Sequence, residues 1–228
     1  MVKYVGQSNA YDIPNNVIYM GDLLYAWDVG DDLTGWVLSG NTNPTIAVDG
    51  RIRLYDATGG GGTSAGYFEL PNTKGAFLGI VNIKFTRMLD DTSVHQFMFA
   101  LQFSAHPVVT GGICINFNSI GGTVELRWIN SNYQGVVSSV VGVAPVAGTE
   151  YALSIVMGPN KIIFLLNGAK IGEILIGNTG GACPLSATQL RDHFAQNKKV
   201  HLYASHAGGQ VSHIRVRDIR VSRYVGQS

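Results

Sequence analysis

The chain has 228 residues and a formal net charge of +1, and only 14% of its residues are charged. Globular domains average about 25% charged residues, and nonspecific binding to nucleic acid requires a strong basic surplus, so nucleic acid is excluded as the expected partner. Hydrophobic residues make up 46% of the chain, yet no apolar run reaches the roughly 18 residues of a membrane span, and the N-terminus lacks the apolar core of a signal peptide. We therefore expect a protein made in the cytoplasm, with a sizeable core and a surface rich in neutral polar groups.

From residue 19 onward, strands and tight turns alternate along the chain. The alternation of apolar and polar residues is clearest over 96–104, where four apolar side chains share one parity. One short helix is predicted over 186–196, with Ser186 as its N-cap. About a dozen segments have strand character, which predicts an all-β sandwich or barrel. They cover residues 19–27, 45–56, 66–70, 75–88, 96–104, 112–118, 123–130, 151–157, 161–167, 169–176, 199–205 and 211–224.

Two kinds of local geometry are predicted directly from residue types. Asp49-Gly50 and Asn167-Gly168 each separate apolar runs and are typical of tight hairpin turns. In the last strand, Ile214 and Val216 have one parity whereas Ile219 and Val221 have the other. One extra residue at Arg217-Asp218 would let all four face the core, so we predict a β-bulge there, with Arg215, Arg217 and Arg220 facing outward.

Three stretches resemble the concanavalin A-like lectin/glucanase superfamily, especially its laminin G-like jelly rolls. They are the early hairpin at 46–54 (IAVDGRIRL), the paired strands at 148–155 (GTEYALSI) and 161–168 (KIIFLLNG), and the closing strand at 213–221 (HIRVRDIRV). The resemblance covers roughly residues 19–223. It implies an antiparallel jelly-roll sandwich, in a superfamily that includes both lectins and glucanases.

The two ends of the chain carry nearly the same hexapeptide. Residues 4–8 and 224–228 both read Tyr-Val-Gly-Gln-Ser, preceded by Lys3 and Arg223. We expect an N-terminal arm at 1–18, one jelly-roll domain at 19–223 and a C-terminal tail at 224–228. Two such peptides could join neighbouring subunits as added strands, and the alternative is two edge strands lying side by side in one sheet. The candidate assembly residues are Tyr4, Val5, Gly6, Gln7, Tyr224, Val225, Gly226 and Gln227.

Catalytic and metal-binding motifs are scarce in the sequence. Retaining glucanases of the resembled superfamily carry a Glu-x-Asp-x-Glu type cluster on one strand, and no such cluster occurs here. The glutamates that stand alone in their segments are Glu69, Glu125, Glu150 and Glu173. Asp28, Asp31 and Asp32 form a weak calcium candidate, and acids of an ordinary turn are the alternative. We expect no cofactor.

The segment 128–135 (WINSNYQG) is the candidate sugar-binding site. Trp128 and Tyr133 could stack on a sugar ring, while Asn130, Asn132 and Gln134 offer neutral hydrogen bonds. The alternative is a hairpin with a core tryptophan and an asparagine-rich turn.

These features predict a non-catalytic structural or adhesion module of a multi-subunit assembly. We expect a component of a phage virion, either capsid decoration or tail-associated, whose partners are copies of itself or other virion proteins. The expectation rests on the duplicated termini, the low charge, the missing export signal and the missing catalytic cluster. The alternative function is that of a carbohydrate-binding, lectin-like module with a glycan as its partner.

Overall fold

The computed structural model describes residues 10–13, 16–56, 62–69, 79–88, 95–102, 112–118, 123–129, 136–141, 145–158, 161–175, 199–206 and 212–225. Within these residues there are sixteen β-strands and no helix. The strands are β1 (Ala10–Ile13), β2 (Asn16–Trp27), β3 (Trp36–Gly40), β4 (Thr45–Ile46), β5 (Ile52–Asp56), β6 (Gly62–Glu69), β7 (Gly79–Arg87), β8 (His95–Gln102), β9 (Gly112–Asn118), β10 (Thr123–Ile129), β11 (Val136–Val141), β12 (Glu150–Met157), β13 (Lys161–Leu166), β14 (Ala169–Leu175), β15 (Lys199–His206) and β16 (Ser212–Val225). The predicted helix over 186–196 lies outside the described residues.

Two antiparallel sheets form the molecule. A nine-stranded sheet has the order β1-β2-β16-β7-β12-β13-β14, with β5 paired to β16 and β4 paired to β5. The long strand β16 accommodates both neighbours on one side, because its first residues pair with β5 and its last residues pair with β2. A seven-stranded sheet has the order β11-β10-β9-β8-β15-β6-β3.

The sheets pack face to face on a core of alternating residues. Val81, Ile83 and Phe85 of β7 are each 1% exposed, and the Phe85 ring lies 5.2 Å from the Phe117 ring of the other sheet. Burying a large apolar side chain contributes about 1.5–3 kcal/mol, so this shared layer is the main source of stability. The predicted all-β antiparallel sandwich is confirmed. Among the described residues there is no helix with the length and apolarity that crossing a membrane requires.

The predicted turns and bulge are present. Gly50 has φ +75°, and Asn167 and Gly168 have φ +51° and +80°, which is the left-handed pair of a two-residue hairpin turn. In β16 the register with β7 shifts between Arg217 and Arg220, and Asp218 has φ +52°. Residues on both sides of this bulge therefore reach the core, and Ile214, Val216, Ile219 and Val221 are all buried.

Strand pairing extends beyond the expected domain limits. β1 and the first residues of β2 lie within the segment assigned to the N-terminal arm, and β16 continues to Val225. Two segments not expected to be strands, β3 and β11, form the two edges of the seven-stranded sheet.

Candidate functional site

The outer face of the nine-stranded sheet carries much of the protein's charge. The residues of β5, β7, β12 and β16 that point away from the core are mainly charged or polar, and acids from two loops join them. We call this surface the ion-pair face, and its charged members are Asp28, Asp49, Arg51, Arg53, Lys84, Glu150, Arg215, Arg217, Asp218 and Arg220.

A bidentate pair lies at the centre of the ion-pair face. Arg217 donates from Nε to Glu150 Oε2 at 2.7 Å and from a terminal nitrogen to Glu150 Oε1 at 2.6 Å. This hydrogen bonding, reinforced by the nearby charge of Arg51, holds the pKa of Glu150 below its usual value. Lys84 forms a second pair with Asp218 at 2.9 Å. Glu150 is therefore held ionised by arginine, which suits an orienting role and not that of a general acid.

Two aspartates from loops form ion pairs with arginines of β16 on either side of its bulge. Arg215 binds Asp49 of the β4–β5 turn, and Arg220 binds Asp28 after β2. Burial raises the pKa of Asp49, but the hydrogen bond from Arg215 and the charges of Arg215 and Arg51 leave it lower than normal. Charge pairing thus ties two loops to the sheet.

The three aspartates of the calcium candidate make hydrogen bonds within the loop or to the sheet. Asp31 accepts from the backbone N–H of Asp28 at 2.7 Å, and Asp32 accepts from the backbone N–H of Thr34 at 2.9 Å. Asp28 is the partner of Arg220. Within the described part of the chain, no group of three or more His, Cys, Asp or Glu side chains is arranged to hold a metal ion.

One corner of the ion-pair face combines two arginines with two rings. Arg53 and Arg215 are directly opposed in the β5–β16 register, and Tyr55 is opposed to His213. The Arg53 guanidinium lies 4.0 Å from the centre of the Tyr55 ring, and the His213 ring meets Tyr55 edge-on at 5.2 Å. Burial, followed by the charges of Arg53 and Arg215, lowers the pKa of His213 to about 4. The imidazole is therefore neutral at neutral pH.

The outer face of the seven-stranded sheet has a different chemistry. It carries three neighbouring rings, which belong to Tyr67 of β6 and to His201 and Tyr203 of β15. The His201 ring lies 6.1 Å from Tyr67 and 6.3 Å from Tyr203. His201 is fully buried and Tyr67 nearly so, whereas Tyr203 is partly exposed. These rings form an aromatic row in which Tyr203 is the member that a ligand can reach.

Strand pairing places Tyr203 and His201 at the start of two parallel rows of residues that run across the neighbouring strands. Tyr203 pairs with Met98, Met98 with Asn116, and Asn116 with Glu125. In the adjacent row, His201 pairs with Ala100, and through Cys114 the row reaches Arg127. Along β9, for example, Cys114 and Asn116 alternate with the core residues Ile115 and Phe117. The positions of these two rows on β9, β10 and β15 thus carry amide, carboxylate, guanidinium and phenol residues.

The structure describes only part of the predicted sugar-binding segment. Trp128 pairs with Ile113 in a continuous β9–β10 register and has the parity of Val124, which is fully buried. From this parity we expect Trp128 to belong to the core, which was the alternative to a sugar-binding role. Asn130, Asn132, Tyr133 and Gln134 lie outside the described residues.

The assembly candidates are also only partly described. Tyr224 and Val225 of β16 pair with Met20 and Tyr19 of β2. The positions outside the described residues are Tyr4, Val5, Gly6, Gln7, Gly226 and Gln227.

Comparison with known proteins identifies the fold. No family model and no curated protein matches the chain. A Bacillus subtilis protein of unknown function with a galectin-like fold is 14% identical with a TM-score of 0.66, covering 92% of this chain and 100% of its own. The fold is a concanavalin A-like jelly roll. The endo-β-1,3-glucanase of Pyrococcus furiosus is 12% identical with a TM-score of 0.64 and covers 96% of this chain and 99% of its own. The carbohydrate recognition domain of Emp46p is 11% identical with a TM-score of 0.59, covering 89% and 94%.

These comparisons correct one prediction and confirm another. The resemblance to the concanavalin A-like superfamily is confirmed at the level of the fold. The prediction that the protein is not an enzyme is wrong, because this fold is shared with an endo-1,3-β-glucanase and with the Crh5 transglycosylase and is therefore capable of carrying catalysis. The physical reason is that strand pairing can bring together carboxyl groups from different strands, so the lack of a cluster on one strand does not exclude a catalytic site.

Proposed function

We propose that the protein binds carbohydrate on the outer face of its seven-stranded sheet. The observation that supports this most is the row joining Tyr203 to Asn116 and Glu125 across four paired strands. A sugar offers an apolar ring face and a rim of hydroxyls, and the positions of this row carry an aromatic residue, an amide residue and a carboxylate residue, which are the residue types that bind such groups. Adjacent strands lie about 4.8 Å apart, so the row spans about 14 Å, enough for two or three sugar units.

The neighbouring rings define roles within this surface. Tyr203 is the partly exposed platform; the buried His201 packs beside Tyr203, the buried Tyr67 packs beside His201, and both are positioning residues. Jelly-roll neighbours that include a carbohydrate recognition domain and endo-1,3-β-glucanases support a glycan as the ligand class. The low content of charged residues, 14%, favours a neutral glycan over a highly charged one at this face.

Binding to β-1,3-linked glucan oligosaccharides tests the proposal. We expect measurable binding by isothermal titration calorimetry, reduced about tenfold or more by Tyr203→Ala, because losing a stacking aromatic anchor costs roughly 1–2 kcal/mol or more. Asn116→Ala should also weaken binding. Tyr55→Ala is the matched control, since Tyr55 is also a partly exposed tyrosine but lies on the other sheet. Binding that survives Tyr203→Ala and Asn116→Ala unchanged, or no binding to any glycan on an array, would contradict the proposal.

A second candidate function is self-assembly through the duplicated peptide. The C-terminal copy already pairs through Tyr224 and Val225 with β2, which provides a register that accepts Tyr-Val. The N-terminal copy of a neighbouring subunit has the same residues and could replace the C-terminal copy by strand exchange. In this role the protein would be a structural or adhesion component of an assembly such as a phage capsid or tail.

Removing residues 1–8 tests the assembly candidate. Strand exchange predicts that this deletion shifts the protein from oligomer to monomer in light scattering, while thermal unfolding of the monomeric domain stays nearly unchanged. A purely intramolecular role predicts the reverse, a lower melting temperature with an unaltered oligomeric state. Removing residues 226–228 is the control. This deletion shortens the C-terminal copy but leaves its last paired residue, Val225, in place.

A further inference from the structure

The corner formed by Arg53, Tyr55, His213 and Arg215 has more positive charge than its own acids neutralise. Arg53 and Arg215 occupy directly opposed positions on β5 and β16. Like charges at such positions repel one another and destabilise a sheet unless a counter-charge is present. The turn supplies one carboxylate, Asp49, and it is shared between Arg215 and Arg51.

Arg53 is the arginine of this corner that lacks an acid. Within the described part of the chain its contact is with the face of Tyr55 at 4.0 Å, and no carboxylate pairs with it. The Nε atoms of Arg53 and Arg215 and the Nε2 atom of His213 are buried without a hydrogen-bond partner among the described residues. Three nitrogens without a partner among the described residues therefore belong to residues of the paired strands β5 and β16.

We propose that this corner is an oxyanion-binding site, in which Arg53 and Arg215 hold a carboxylate, sulfate or phosphate group beside Tyr55. Arginine is suited to these groups because its planar guanidinium donates two parallel hydrogen bonds to their oxygens. The cation–π contact with Tyr55 holds the Arg53 guanidinium over the ring, so its position is set before the anion arrives. The site is on the opposite sheet from the proposed glycan surface and does not depend on it.

Burial, followed by the positive charges of this corner, lowers the pKa of His213 to about 4. The charged groups facing its imidazole are Arg53 from β5, Arg215 from its own strand and Asp49 from the turn; the two arginines lower the pKa, whereas Asp49 raises it. A bound anion would neutralise these charges and favour the protonated imidazole. His213 is therefore a built-in reporter of occupancy.

Titration of His213 by NMR in acetate, sulfate or phosphate tests the site. Each buffer is compared with chloride at one fixed ionic strength of about 0.1 M, because screening alone also weakens the repulsion from the arginines. We expect at least one oxyanion to raise the midpoint for His213 by about one pH unit relative to chloride. The anion with the largest effect identifies whether carboxylate, sulfate or phosphate is the natural group.

Two variants separate a specific site from general attraction. Arg53→Gln should weaken the anion's apparent affinity about tenfold, because a charge-assisted hydrogen bond is lost. Lys84→Gln removes one positive charge from the same face, at a residue paired with Asp218, and should leave the affinity unchanged. Equal midpoints in chloride and in all three oxyanions would overturn the proposal, as would equal losses in the two variants. Failure here leaves the glycan experiments with Tyr203 unaffected.

Discussion

Deleting Asp218 is expected to leave the unfolding free energy of the protein within about 1 kcal/mol of the wild type. Asp218 is the extra residue of the bulge, and Ile214 and Val216 before it and Ile219 and Val221 after it all face the core. Removing it gives these four residues one common parity, so regular alternation keeps all of them buried. The ion pair with Lys84 is lost, and it is worth at most about 1 kcal/mol because it is partly exposed. Turning one pair outward would instead cost roughly 3–6 kcal/mol, because each buried aliphatic contributes about 1.5–3 kcal/mol. Urea unfolding followed by fluorescence measures the difference.

Asp218→Gly is the matched control for the deletion. The substitution keeps the residue count and therefore the parity of β16, and glycine adopts the positive φ of +52° without strain. It removes the ion pair with Lys84, which is partly exposed and is worth at most about 1 kcal/mol. We expect its unfolding free energy to stay within about 1 kcal/mol of the wild type. A deletion variant several kcal/mol less stable than Asp218→Gly would show that the bulge itself, and not the parity of the four aliphatic residues, holds β16 in place.

The bulge could be predicted from the sequence because its cause lies within one strand. A change of parity between two pairs of β-branched residues is visible in the sequence itself, and the core enforces the outcome. The hairpin turns at Asp49-Gly50 and Asn167-Gly168 are predictable for the same reason, since their left-handed conformations depend on the turn residues themselves. Local conformational preferences therefore account for most of the correctly predicted architecture.

The edge strands were not predictable in this way. β3 and β11 are the outermost strands of the seven-stranded sheet. In β11 the sequence VVSSVV places two serines together, which interrupts the period-two pattern, and in β3 Val37 is 47% exposed. An edge strand has one partner and need not bury a full face, so its sequence is under weaker constraint than that of a central strand.

The oxyanion corner depends on pairings that no single segment reveals. Periodicity places Arg53 and Arg215 on the outward sides of their strands, but it cannot tell that β5 lies beside β16 in a register that opposes them. The same is true of Arg217 with Glu150, and of Tyr203 with Asn116 across β8. A search for motifs within single strands misses such cross-strand groups, which is also why it gave the wrong prediction about enzymatic capacity.

Replacing Trp128 with alanine is expected to have a large effect on stability. Trp128 follows Val124 and Leu126 at the same parity in β10, and the paired positions on β9 include Ile115 and Phe117, both buried in the core. Truncating a core tryptophan typically costs about 3–5 kcal/mol. We therefore expect Trp128→Ala to lower the unfolding free energy by that amount in urea titrations.

Tyr133→Ala is the comparison that gives this experiment its meaning for function. If residues 128–134 form a sugar site, both variants should keep the wild-type stability and lose glycan binding together, because stacking on a ligand contributes nothing to the free protein. If Trp128 is a core residue, its variant alone is destabilised, and glycan binding measured well below its melting temperature persists unless Tyr203 is also removed. Unchanged stability in Trp128→Ala, together with loss of binding, would return the sugar site to the β10–β11 hairpin and remove it from the row headed by Tyr203.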